Sequence, residues 1–356
     1  LEGQKEKEGT PTMGGIIIVL AIVVPCLLVA RLDNVYIILM LISTLWMASI
    51  GYLDDYIKVV KKDKDGLKGV FKIIGQVGLG LLVAITMLMS NDVTVRMTPQ
   101  EAEQGEYKIV KTVMVEDPHN AGKLVEMVHA KAAITNVPFF KNNELDYGRL
   151  LDFMHMNKEV MLWIVFIVAV VFIITAVSNA ANLTDGIDGL ATGVSATIGA
   201  VLAAFAYLSG NSVFADYLNI TFIPNSSELV IFSSCFIGAC TGFLWHNSFP
   251  ARVFMGDTGS LTLGGIIAAL AIVLRKELLL PILCGIFVVE NLSVIIQRYY
   301  FKYTKKKYGE GRRVFLMAPI HHHFQKKGYH EAKIVTRFWI VSIILAVMTI
   351  LTLKIR

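Results

Sequence analysis

Long charge-poor runs set the pattern of this chain. Nine of them, at residues 14–30, 35–53, 73–90, 160–177, 189–208, 229–245, 259–274, 278–296 and 338–353, are apolar almost throughout. A helix needs roughly 17–25 apolar residues to cross a bilayer, and most of the runs reach that length. Those at 259–274 and 338–353 are shorter and draw on their flanks. The pattern predicts nine transmembrane helices, an all-α polytopic membrane protein. One long segment, 91–158, interrupts the series. Within it KIVKTVMV at 108–115 alternates like a strand, and turns rich in Asn, Pro and Gly follow. It reads as an extracytoplasmic insertion between membrane parts 1–90 and 159–356, and its histidines, His119, His129 and His155, are scattered.

Composition agrees with that pattern: 55% of the 356 residues are apolar, and the mean hydropathy is +0.61. The four cysteines, Cys26, Cys235, Cys240 and Cys284, all fall inside the runs and read as packing residues, with no CxxC zinc spacing. The net charge of +5 comes largely from Lys and Arg in short loops and calls for no nucleic acid. The chain opens mid-loop on Leu1, without an initiator Met or a signal peptide, so further sequence is expected upstream.

Chemistry is sought where polar residues interrupt the runs. The densest interruption is SNAANLTDGIDGL at 178–190, which holds Asn179, Asn182, Thr184, Asp185 and Asp188. A buried carboxylate is expensive unless it is paired, hydrogen-bonded or bound to a cation. The stretch therefore reads either as a site or as a wet turn in which Asp caps a helix. At 54–58, DDYIK sets Asp54 beside Asp55 and Lys58, with Lys61, Lys62, Lys64 and Lys68 following. Basic anchors at a membrane edge explain the lysines. Adjacent carboxylates repel, and both stay ionised only near a metal or a lysine.

Three further stretches carry weaker signals. GTPTMGG at 9–15 lets the backbone approach a ligand closely, or simply starts a helix behind Pro11. HNSFPARVFMGDTGS at 246–260 delivers Asp257 beside a helix N-terminus, whose free N–H groups and dipole suit phosphate. APIHHHF at 318–324 holds His321, His322 and His323. Consecutive side chains rarely point at one ion and no cysteine lies nearby, so phosphate hydrogen bonding fits better than zinc.

Counting spans places all five stretches on one side of the membrane. The short loops of that side carry most of the Lys and Arg, including 58–68 and 302–313, which makes it cytoplasmic by the positive-inside rule. Carboxylates for a divalent cation, lysines and histidines for phosphate, and helix N-termini then share one face. That combination implies phosphoryl transfer from a soluble phosphate compound to a membrane lipid, with Mg²⁺ held by a few carboxylates and by substrate phosphates.

GTPTMGG, DDYIK, NLTDGIDGLA, FMGDTGSL and APIHHHF, in that order, closely resemble the phospho-N-acetylmuramoyl-pentapeptide transferases. These are the bacterial branch of the polyprenyl-phosphate N-acetylhexosamine-1-phosphate transferase family. The similarity covers nearly the whole chain apart from 91–158. It implies a ten-span enzyme of the bacterial cytoplasmic (inner) membrane, usually a homodimer; nine spans starting inside would follow from loss of the first. It also implies transfer of phospho-MurNAc-pentapeptide from its UDP form to undecaprenyl phosphate, giving lipid I and UMP with Mg²⁺. By motif, Asp257 matches the Mg²⁺ ligand, Asp54 and Asp55 an essential acidic pair, and Asp185 a third key carboxylate. Lys7, Asn182, Asp188, Asn247 and Phe254 match the uridine pocket, with Phe254 stacking on uracil, and Thr12, Lys58 and Asn179 join them as candidate substrate contacts. His321, His322 and His323 match a loop over the substrate phosphates.

Direct attack by the lipid phosphate on the β-phosphate is the favoured mechanism, because that acceptor is already anionic. A covalent route through Asp54 or Asp55 is the alternative. Two rival functions are a sister enzyme using UDP-N-acetylglucosamine and a proton-coupled transporter. Transporter sites sit near the midplane within internal repeats, whereas these carboxylates cluster at span ends and no repeat is seen.

Overall fold

A computed structural model describes residues 9–63, 65–117, 120–137, 144–148 and 158–353. The chain begins with α1 (Gly15–Val29), α2 (Val35–Val59) and α3 (Gly69–Met89). The insertion follows as β1 (Val95–Met97), α4 (Pro99–Gln104), β2 (Lys108–Asp117), β3 (Asn120–Lys131), β4 (Ile134–Asn136) and β5 (Glu144–Asp146). The second membrane part holds α5 (Lys158–Thr184), α6 (Leu190–Ser209), α7 (Ser212–Leu218), α8 (Leu229–Asn247) and α9 (Gly256–Val273). It continues with α10 (Leu280–Leu283), α11 (Gly285–Tyr308), α12 (Ile320–Lys326) and α13 (Glu331–Leu351).

Among the described residues seven helices are long and apolar enough to cross a membrane, or eight if a bent pair counts as one span. Two elements separate this number from the expected nine. At 15 residues α1 is apolar but short, about 22 Å long against a hydrocarbon core of about 30 Å. The apolar run at 278–296 is not one straight helix: the pieces Glu277–Leu283 and Gly285–Tyr308 meet at Cys284 with a bend of 77°. Pro281 stands in the first turn of α10, where a proline is tolerated.

The membrane part is organised around α9. Every residue of α9 from Thr258 to Val273 is buried, as expected of a helix that is apolar on all sides. It packs against α1, α2, α5 and α6. Close approach on two sides depends on glycine. A Cβ on Gly15 would overlap the backbone of Thr258 and Gly259, and one on Gly51 the backbone of Asp257 and Thr258.

The insertion forms a three-stranded antiparallel sheet, ordered β1-β3-β2, and a small β4–β5 pair. The strand expected at 108–115 is β2, which runs on to Asp117. This unit docks on the end of the bundle remote from Asp257. Lys131 Nζ donates to the carbonyls of Leu88 and Met89 at the end of α3, at 3.0 and 2.7 Å. The Arg96 guanidinium lies 3.8 Å above the Phe222 ring. Asn136 N–H donates to the Arg275 carbonyl at 2.9 Å, and the Tyr147 hydroxyl donates to Glu277 Oε1 at 2.9 Å. The loop after α9 is thereby buried, with Arg275, Lys276 and Glu277 each at most 5% exposed. One end of α9 is fixed by the insertion and the other carries Asp257.

Candidate active site

The last turns of α2 bring Asp54 inward, where it is fully buried. Its Oδ1 accepts the backbone N–H of Leu67 at 2.7 Å. Its Oδ2 lies 2.5 Å from Lys58 Nζ, one turn further along the helix, and 3.1 Å from Lys72 Nζ on α3. The same two ammonium groups reach Asp257 Oδ2, Lys58 at 3.2 Å and Lys72 at 2.6 Å. Two carboxylates and two ammonium groups thus form a compact, balanced cluster. Each cation offsets the repulsion that would otherwise protonate one acid.

Asp55 has a different task. Its Oδ1 accepts the N–H of Asp257 at 3.0 Å, and its Oδ2 accepts the N–H and the hydroxyl of Thr258 at 2.8 and 2.6 Å. Within α9 the N-cap position supplies no side-chain bond, so a carboxylate from α2 does the capping. The helix dipole favours a negative charge there. Gly256 completes the contact with a φ of +74° and no Cβ to collide with the Asp55 carboxylate.

The 178–190 stretch supplies the third wall. Asn182 Nδ2 donates to Asp257 Oδ1 at 3.0 Å and to Ser260 Oγ at 2.9 Å. Asn179 sits one turn earlier and donates to Gln76 Oε1 at 2.9 Å. Asp185 lies in the turn after α5, and its carboxyl is pushed well above the usual carboxylate range by burial and then by the charges of Asp257, Asp55 and Asp188. Asp188 and Asn247 act as ties. Asp188 Oδ2 accepts the N–H of Ala251 at 3.0 Å, and its own N–H donates to Glu331 Oε1 at 2.7 Å. Asn247 Oδ1 accepts from Gly189 N–H and the Thr192 hydroxyl, while its Nδ2 donates to the Val253 carbonyl. Both expected substrate contacts therefore hold the loop at 248–255 against the 185–190 turn.

The glycine-rich stretch joins the same assembly through its backbone. Phe254 N–H donates to the Pro11 carbonyl at 2.8 Å, and Gly14 and Gly15 donate to the carbonyls of Phe254 and Met255 at 2.9 and 2.8 Å. Thr12 is exposed beside this pairing, and Phe254 is half-buried. Lys7 lies outside the described residues.

The histidine run forms a short helix, α12, where a loop was expected. The His321 and His322 rings lie edge to face with centroids 4.1 Å apart, while His323 turns to Leu316. His321 is fully buried, with Nδ1 3.1 Å from Glu290 Oε2. His322 Nδ1 pairs with Gln325 Oε1 at 2.7 Å, and burial followed by the neighbouring His321 holds it below the ordinary histidine range. His323 Nδ1 accepts the N–H of Leu316 at 3.1 Å. The three form no metal-ligand group among the described residues, and His321, with His322 beside it, borders the 185–188 turn at Gly186.

Carboxylate oxygens of Asp54, Asp55 and Asp257 lie within 4.8 Å of one another, the one group of three potential metal ligands found among the described residues. All six oxygens are engaged, those of Asp55 at the start of α9 and those of Asp54 and Asp257 with Leu67, Asn182 and the two lysines, so a cation here would take the place of lysine contacts at Asp54 Oδ2 and Asp257 Oδ2. An all-oxygen donor set fits a hard ion such as Mg²⁺ and suits zinc poorly.

Lys72 was not anticipated from the sequence, although a lone lysine opening an uncharged run is a readable signal. Glu290, Glu331 and Ser260 were missed as well. Each is an isolated polar residue whose partner is remote in the chain.

A family model described as glycosyl transferase family 4 matches residues 37–275. A phospho-N-acetylmuramoyl-pentapeptide-transferase signature matches residues 7–19. The chain belongs to glycosyl transferase family 4. Within this family it is 57% identical to the phospho-N-acetylmuramoyl-pentapeptide-transferase of Flavobacterium psychrophilum, over all of this chain and 85% of that protein. The transferase of the same name from Flavobacterium johnsoniae is 58% identical over the same shares. That of Parabacteroides distasonis is 55% identical over 100% of this chain and 85% of its own length. As a family 4 member the chain is an integral membrane protein, and the 37–275 match spans α2 through α9, both of the helices that carry the acidic cluster.

Proposed function

We propose that the protein transfers phospho-MurNAc-pentapeptide from UDP-MurNAc-pentapeptide to undecaprenyl phosphate, releasing UMP and forming lipid I. The observation that carries this reading is the Asp54–Lys58–Lys72–Asp257 cluster at the start of α9, in a chain 55–58% identical to relatives named for this transfer. A glycosyl-1-phosphate transferase must align two phosphates and offset their charge, with little covalent work of its own. Lys58 and Lys72 supply positive charge at the point where Asp257 would hold Mg²⁺ together with Asp54. When bound, that ion neutralises charge on the donor diphosphate.

The chain's own groups do the remaining work. Asn182 fixes the Asp257 carboxylate, so one of its oxygens keeps a set direction. Asp55 fixes the backbone that carries Asp257. Phe254, whose backbone is bonded to Pro11 and Gly14, stacks on the uracil ring in this reading, and the 185–188 turn, next to His321, borders the donor phosphates. The lipid phosphate is already anionic and attacks the donor's β-phosphorus directly, forming the new P–O bond as the bond to UMP breaks. The site opens to the cytoplasm, the membrane is the bacterial inner membrane, and the protein works as a homodimer.

Purified protein in detergent, given undecaprenyl phosphate and Mg²⁺, tests this with two donors. UDP-MurNAc-pentapeptide is consumed with release of UMP, and UDP-N-acetylglucosamine is largely ignored. The opposite preference moves the protein to a sister branch.

A further inference from the structure

Glu290 and His321 form a buried pair, of which the transfer scheme above leaves the carboxylate without a task. Both side chains have no exposed surface, and Nδ1 of the histidine lies 3.1 Å from Oε2 of the carboxylate. They come from different elements, α11 and α12, separated by the basic loop at 309–319. The contact is at ion-pair distance, and a carboxylate facing a ring nitrogen favours an N–H at that position. The second nitrogen, Nε2, is therefore turned to the other edge of the ring as a defined group. It faces Gly186, where any Cβ would overlap Nε2 and Cε1, and it has no hydrogen-bond partner among the described residues.

The arrangement is costly as pure packing. Neither Glu290 oxygen has a hydrogen bond of good geometry among the described residues, and a buried charge with one partner is less stable than an apolar pair of equal volume. A leucine pair would hold α12 on α11 without that penalty. The position of Nε2 offers a reason for the expense. Gly186 lies between Asp185 and Asp188, in the turn that follows Asn182, so Nε2 borders the wall of the acidic cluster.

We propose that Glu290 is a positioning residue for the transfer. It holds the His321 ring with Nδ1–H against its carboxylate, so that Nε2, protonated once the anionic donor is bound, donates at the 185–188 turn to a phosphate oxygen of the nucleotide-sugar donor. This rests on the transferase reading. Glu290 itself touches no substrate; it acts through His321, as carboxylates behind reactive histidines do elsewhere.

The test is steady-state kinetics of the full chain with UDP-MurNAc-pentapeptide at saturating undecaprenyl phosphate, alongside thermal melting of each variant. Glu290→Leu lowers kcat by about ten- to a hundredfold, with melting close to wild type. Glu290→Gln, whose carbonyl oxygen still accepts from Nδ1, recovers kcat to within about threefold of wild type. In a His321→Asn background, followed with radiolabelled donor, Glu290→Leu has no further effect. If Glu290→Leu does not accumulate, Glu290→Asp replaces it, because the shorter side chain withdraws from Nδ1 and keeps its charge. An unchanged kcat in these variants overturns the inference, and so does an equal loss in both backgrounds. Wild-type protein that releases no UMP sinks the transferase reading instead, so the two failures are told apart.

Discussion

Asp55→Asn separates a scaffold role from a chemical one at the acidic pair. The wild-type carboxylate receives three hydrogen bonds, from Asp257 N–H, Thr258 N–H and the Thr258 hydroxyl, at 3.0, 2.8 and 2.6 Å. Asparagine keeps one acceptor oxygen and turns an amide N–H₂ toward at least one of these donors. Leaving a buried donor unsatisfied costs about 1–3 kcal/mol, and loss of the charge at a helix N-terminus costs about 0.3–2 kcal/mol. Together the substitution destabilises the start of α9 by roughly 1–5 kcal/mol. Asp257 rides on that turn, so turnover falls along with stability. Asp257→Asn leaves the cap intact but removes a charge shared by Lys58 and Lys72, so its activity falls further than its lowered melting accounts for. Melting curves in detergent and UMP release, measured on both variants, make the comparison. An Asp55→Asn protein that melts like wild type and releases no UMP would refute the scaffold role and place Asp55 among the reacting groups.

Three other substitutions probe the rest of the account. Lys72→Met leaves Asp54 and Asp257 sharing Lys58 alone, a loss of order 3 kcal/mol for a largely buried partner, so UMP release drops far below that of the exposed-site control Lys61→Met; equal activity of the two would remove Lys72 from the site. Phe254→Ala weakens uridine-donor binding about tenfold or more, since stacking on a base is worth roughly 1–3 kcal/mol; unchanged donor affinity in a folded variant takes Phe254 out of the pocket. Replacing residues 91–158 by a Gly/Ser linker preserves turnover per folded molecule and lowers the melting temperature, because Arg275, Lys276 and Glu277 lose the cover provided by Asn136 and Tyr147. Loss of turnover in a stable, inserted deletion would tie the insertion to the chemistry.

Helices were legible wherever an uncharged run had spanning length, because in a bilayer the backbone has few other solutions. The bend at Cys284 was not, since residues on both sides of it are equally apolar and periodicity carries no record of direction. Within the site, the sequence showed which motifs share a face but not how their donors pair. Asp54 and Asp55 look alike in the chain. Only their directions distinguish a carboxylate held by two lysines from one that caps α9. Lys72 escaped notice because the apolar run was read from residue 73, leaving it among the loop lysines. Its ion pair with Asp257 closes across 185 residues. Glu290 sits alone in the run at 278–296, and its partner His321 was read as part of a phosphate-binding run.

The central claim is a direct transfer to lipid phosphate at the Asp54–Asp257 cluster, and rapid-quench measurement of UMP release tests it most directly. Lipid-stripped wild-type protein and Asp257→Asn are each mixed with UDP-MurNAc-pentapeptide and Mg²⁺, with and without undecaprenyl phosphate. Direct transfer gives UMP only from wild type and only when the acceptor is present. A burst of about one UMP per active site without acceptor, lost in Asp54→Asn or Asp55→Asn, would contradict it in favour of a covalent intermediate. Undiminished release from Asp257→Asn would contradict the placement of the site itself.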